Sequence, residues 1–133
     1  MKKFSLITSL FFTFSSIALA GDPADPLPAE SDYYPITTIP LPENEVIEVS
    51  GIDILPGNKV AIASRRGDIF VGEGVLEDKP APTWTLYASG LHETLGISWR
   101  GGWLYATQRP EVTRMKDRDG DGRADVFETI ADD

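Results

Sequence analysis

The sequence predicts an all-β fold, a β-propeller fragment of about two four-stranded blades. Three observations carry this. Short runs of alternating apolar residues are broken at close intervals by Gly, Pro and Asn, the mark of strands joined by tight turns. The pattern of residues 51–71 recurs at 96–115, with an offset of 96 − 51 = 45 that slips to 109 − 65 = 44. A four-strand repeat of about 40–50 residues is the period of a propeller blade. A plain antiparallel sandwich with look-alike strands is the competing architecture.

In chain order, residues 1–20 read as a secretory signal peptide. Lys2 and Lys3 form the positive head, Phe4 to Leu19 the apolar run, and Ala18-Leu19-Ala20 a small-x-small cleavage site. The run is short for a membrane span, the other reading of such a segment. Export to the periplasm or medium is therefore expected. The chain has no cysteine, which excludes disulfides, a lipid-anchored signal and Cys-x-x-Cys-His haem attachment in these residues. Without Lys2 and Lys3 the formal charge goes from −9 to −11. Such acidity argues against nucleic acid as a partner and suits cation binding. The remaining 133 − 20 = 113 residues suffice for one small core.

Residues 21–43 form an extended arm. Pro23, Pro26, Pro28, Pro35, Pro40 and Pro42 resist helix, and Tyr33, Tyr34 and Ile36 could pin part of it to a surface.

The first repeat covers residues 44–89. Gly51 to Leu55 alternates and breaks at Pro56-Gly57-Asn58. Lys59 to Ser64 breaks at Arg65-Arg66-Gly67-Asp68, Ile69 to Val71 follows, and Thr83 to Ala88 is the fourth strand. The second covers residues 90–133. Gly96 to Trp99 breaks at Arg100-Gly101-Gly102, Trp103 to Gln108 at Arg109-Pro110-Glu111, then Val112 to Met115 and Val126 to Ala131 follow. Two blades leave open edges, an aggregation hazard. The chain is therefore expected to be the front of a longer protein or half of an assembly.

Up-and-down order fixes which loops share an end of the repeat. Turns after the first and third strands share one face. Turns after the second strand, and the link to the next repeat, share the other. That second face collects His92, the only histidine, with Arg65 and Arg109 at equivalent turn positions. An arginine pair suits an anionic group, and His92 is a candidate on the same ligand-gathering face. Each also reads as ordinary surface chemistry. Arg66-Gly67-Asp68 reads as turn chemistry, and Trp84, Trp99 and Trp103 as packing residues.

The first face carries a twelve-residue calcium loop, residues 117–128. Asp117, Asp119 and Asp121 stand at positions 1, 3 and 5, Gly122 at the sharp turn, the Arg123 carbonyl at 7, Asp125 at 9 and Glu128 at 12. A hard divalent cation takes six to eight oxygens, and this spacing wraps them around one point. Pro110 and the β-branched residues upstream read as strand rather than as the entering helix of an EF-hand. The expectation is a strand-to-strand clamp with its ligands in the first nine positions. Glu128 is the less secure ligand, since its reach depends on an exiting helix.

Three runs carry a family resemblance: residues 89–96 (Ser89-Gly90-Leu91-His92-Glu93-Thr94-Leu95-Gly96), 108–114 (Gln108-Arg109-Pro110-Glu111-Val112-Thr113-Arg114) and 117–125. They resemble the N-terminal propeller of large exported bacterial proteins labelled membrane-bound dehydrogenases, some with a haem-binding cytochrome domain further on. Those proteins are similar in turn to the soluble quinoprotein glucose/sorbosone dehydrogenases. The resemblance covers about residues 44–133. It implies oxidation of a sugar or polyol in the full-length protein, with pyrroloquinoline quinone as cofactor. It also implies the rest of the propeller, or a cytochrome domain, as partner. No catalytic residue is carried over. The other function class is a non-catalytic, calcium-stabilised propeller that binds carbohydrate or a protein.

Overall fold

The structure, a computed structural model, describes residues 28–132. The expected signal peptide and the arm up to residue 27 lie outside the described residues. The chain divides between Ile36 and Thr37 into two compact units. The described part of the first holds one 3-10 turn, Glu30–Asp32. The proline-rich composition of the arm resists helix. The single turn forms because the Asp32 carboxylate accepts the Ala29 N–H at 2.9 Å, satisfying a donor the turn leaves open.

The second unit is all β. Its strands are β1 (Val49–Leu55), β2 (Lys59–Ser64), β3 (Ile69–Glu73), β4 (Thr83–Ala88), β5 (Gly96–Arg100), β6 (Trp103–Thr107), β7 (Glu111–Lys116) and β8 (Val126–Asp132). They make two antiparallel four-stranded sheets, ordered β1-β2-β3-β4 and β5-β6-β7-β8. The sheets stand side by side and close no ring.

The turns explain the slipping offset. Leu55 pairs Lys59 across three residues, with Gly57 at φ 79° and Asn58 at φ 57°. Arg100 pairs Trp103 across only Gly101 and Gly102, at φ 59° and 80°. Positive φ at both central residues is the two-residue hairpin turn whose twist matches the strands. One residue fewer turns 45 into 44. The next turn is shorter again, Thr107 pairing Val112 where Ala63 pairs Ile69, so 112 − 69 = 43. Gln108 was placed in the sixth strand. It lies beyond it because its N–H turns to the Glu111 carbonyl, 2.8 Å away.

Two cores result. Between the sheets, Ala63, Ile69, Tyr87 and Ala88 meet Leu104, Ala106 and Met115. The first strands approach closely there. A Cβ on Gly51 would stand 2.9 Å from the Ile97 nitrogen, so only glycine fits. Asp53 links the same strands, its Oδ2 accepting the Trp99 N–H at 2.5 Å. The second core lies on the other face of the first sheet, where Val60, Ile62, Phe70 and Val75 pack with Ile47, Trp84 and Leu86. The extended segment around Pro40 lies along it, held by the Trp84 indole N–H on the Pro40 carbonyl at 2.8 Å.

Candidate metal centre and the opposite loop face

The acidic loop leaves strand β7 and enters strand β8, with no helix on either side. Its base is closed by the Asp125 N–H on the Lys116 carbonyl, 3.1 Å. Within it, backbone donors aim the carboxylates. Asp117 accepts the N–H groups of Gly120 (2.6 Å) and Gly122 (2.9 Å). Asp119 accepts from Asp121 at 3.2 Å, Asp121 from Arg123 at 2.8 Å, and Asp125 from Arg118 at 3.0 Å. Gly120 and Gly122 sit at φ 84° and 89°, so the loop can curl only with glycine there. The two glycine N–H groups hold the Asp117 carboxyl below its usual range, and it stays ionised.

Carboxylate oxygens of Asp117, Asp119 and Asp121 lie within 4.8 Å of one another. Oxygens bound to one calcium ion at 2.3–2.6 Å stand no more than about 5 Å apart across it. The triad therefore fits such an ion. Asp125 sits at the loop's closing end. Glu128 stands apart from the triad: it is on β8, and Arg114 on β7 grips its Oε2 with Nε at 2.8 Å and Nη2 at 2.5 Å.

The loop also reaches the first sheet. The Asp117 N–H donates to the Tyr87 hydroxyl at 3.2 Å, and the Ala124 N–H to the Tyr87 carbonyl at 2.8 Å. Ala124 packs on the inter-sheet core, and Gly122 lies against Thr85. Burial pushes the Tyr87 phenol up, so it stays neutral and can accept. Sequence reasoning missed Tyr87. The only signal was a tyrosine at the end of a strand, which says nothing of a partner thirty residues on.

At the other end, the expected loops do meet. The Leu91 N–H bonds the Gly67 carbonyl at 3.1 Å, and the Arg109 N–H the His92 carbonyl at 3.0 Å. The Arg65 N–H bonds the Glu48 carbonyl at 2.9 Å. Since 109 − 65 = 44 and 92 − 48 = 44, this is one contact made twice. The three side chains do not converge, however. His92 and Arg65 are exposed, and the Arg109 guanidinium is 2.7 Å from Glu93. No side chain of the three is hydrogen-bonded to another of them among the described residues.

What the second face does contain is a polar network built on Gln108, which is buried, and Glu111. Gln108 Oε1 accepts the His92 N–H at 2.5 Å, and its Nε2 donates to Thr113 Oγ1 at 2.6 Å and Glu111 Oε1 at 3.1 Å. Thr113 donates to Glu111 Oε1 at 2.5 Å, and Thr129 to Oε2 at 2.9 Å. These residues fix the backbone of the His92 link. In the sequence Gln108 and Glu111 read only as the residues that flank a turn at Arg109-Pro110.

No protein family, no curated protein and no solved structure matches the chain.

Proposed function

We propose that this chain is a calcium-stabilised pair of propeller blades, and that the ion at residues 117–125 clasps one blade to the other. The observation that carries this is the double role of the loop. The carboxylates of Asp117, Asp119 and Asp121 lie close together, and the loop's backbone is tied to Tyr87 of the neighbouring sheet. Asp117, Asp119, Asp121, the Arg123 carbonyl and Asp125 would hold the ion, which supplies charge neutralisation and no chemistry of its own. The blade reading is supported by the matched meanders and by the repeated contact at Arg65 and Arg109.

Binding takes precedence over catalysis for these residues. His92, Arg65 and Arg109 support backbone contacts rather than a shared pocket, so sugar or polyol oxidation with a quinone rests on the family resemblance alone. The test is calorimetric titration of the chain lacking residues 1–20. Calcium should bind saturably with Kd of roughly 0.1–1 mM, as extracellular loops do. At about 100 times Kd it should add ~2.7 kcal/mol to the unfolding free energy. Identical melting in calcium and in chelator would overturn the reading. Turnover of a sugar with added quinone would overturn the assignment of this segment to binding.

A further inference from the structure

Ile52 and Ile54 on β1 are 63% and 60% exposed, the open part of an otherwise covered apolar face. Cross-strand pairing puts them in rows with Ile62 and Val60. The same rows occur in the second sheet as Ile97 with Ala106 and Trp99 with Leu104. The offsets agree: 97 − 52 = 45, 99 − 54 = 45, 106 − 62 = 44 and 104 − 60 = 44. In the second sheet these rows are covered, and what covers them is the face of β1 and β2 carrying Gly51, Asp53, Ala61 and Ala63. Both alanines are fully buried, and their small size lets the two sheets meet.

From this repeat of one interface, we propose that Ile52 and Ile54 dock a further β-sheet whose first two strands present glycine and alanine. That partner is not a second copy of this chain. The face a copy would offer is the outer side of its second sheet, where Ser98, Tyr105 and Arg114 pair in a row. They stand where the first sheet has Asp53, Ala61 and Val71, at offsets 98 − 53 = 45, 105 − 61 = 44 and 114 − 71 = 43. A tyrosine and an arginine replace an alanine and a valine. Arg114 is further fixed by Glu128 and lies 4.4 Å over the Trp103 ring. That face is too bulky and too charged to settle on Ile52 and Ile54. The segment around Pro40 already lies over the outer strands, and Val60 and Ile62 on β2 are buried in the second core, so the new contact is made by β1 alone. The proposal rests on the blade reading for the partner's shape, and on no property of the calcium loop.

The chain itself supplies the probe. Tyr105→Ala with Arg114→Val replaces the two bulky residues of that face by those of the first sheet. Sedimentation velocity in chelator should show the unaltered chain as a monomer. The double variant should form dimers and longer head-to-tail species, because such a contact does not close on itself. Adding Ile54→Lys should return it to monomer. A folded double variant that stays monomeric overturns the proposal, as does association that survives Ile54→Lys. If the unaltered chain associates through Ile54, a second copy is the occupant and the proposal is overturned. Should the double variant lose its cooperative melt, Tyr105→Ala with Arg114→Met, which keeps an unbranched side chain over the Trp103 ring without the charge, is read the same way. Calcium plays no part in this readout, so its failure and the failure of the metal reading are separate results.

Discussion

The Tyr87 phenol on β4 accepts a hydrogen bond from the backbone N–H of Asp117, the first residue of the acidic loop. The two residues belong to different sheets. The bond anchors the backbone of Asp117 from outside the loop. Tyr87→Phe keeps the ring and removes the acceptor. It should cost about 0.5–1.5 kcal/mol of stability, the net worth of one hydrogen bond. It should also weaken calcium binding several-fold, since the loop must then order Asp117 unaided. Melting and calorimetric titration of the variant check both. Unchanged affinity with lowered stability would make Tyr87 a packing residue only.

The carboxylates are expected to divide into two groups. Asp119→Asn and Asp121→Asn should each reduce calcium affinity on the order of tenfold or more, because ligand charge sets affinity in such loops. Glu128→Gln should leave it nearly unchanged, since its carboxylate is held by Arg114. A drop for Glu128→Gln equal to that of the aspartates would show that β8 gives up this residue when the ion binds.

Most of the fold was legible because its signals are local. Gly57-Asn58 and Gly101-Gly102 announce their turns by backbone chemistry alone, and the alternation around them gives the strands. The acidic loop joining two strands at Asp117 was legible for the same reason, since its aspartates and glycines fall within one short run. What was not legible depends on approach between distant segments. Gly67 reads as an ordinary turn glycine, yet a Cβ there would stand 2.0 Å from the Leu91 carbonyl oxygen. Arg65, Arg109 and His92 share an end of the repeat as the strand order requires. Whether side chains that share an end also converge depends on rotamers and neighbours such as Glu93, which periodicity does not encode.

Glu111 gives the second face a pH signature. Its carboxyl is held below the usual range by the Thr113 hydroxyl foremost, then by Thr129, with Gln108 adding less. In the unfolded chain it takes up a proton near pH 4.3. In the folded chain it does so only at lower pH. Its contribution to stability is thus present above the unfolded value and lost as pH falls through the folded one. Glu111→Gln should lower the melting temperature near neutrality, and the gap to the unaltered chain should narrow below about pH 4. A gap that stays constant down to about pH 3 would place the effect in packing rather than in the charge.

Thr94 poses the opposite problem in the same link. Its side chain is fully buried, and its hydroxyl has no hydrogen-bond partner among the described residues. A buried hydroxyl without a partner carries a desolvation cost of about 1–3 kcal/mol. Thr94→Val replaces that oxygen with a methyl group of nearly the same volume. Such an exchange normally destabilises, because a threonine hydroxyl is normally bonded. Here the sign should reverse. The variant should gain about 1 kcal/mol, raising the melting temperature by roughly 4–8 °C for a domain of this size. The backbone of the link is held independently, by the Leu95 N–H on the Thr107 carbonyl at 2.8 Å, so the substitution should not disturb β5. A fall in melting temperature of similar size would mean that the hydroxyl is bonded in solution. The link at His92 would then be held by one polar contact more than those of Gln108 and Arg109.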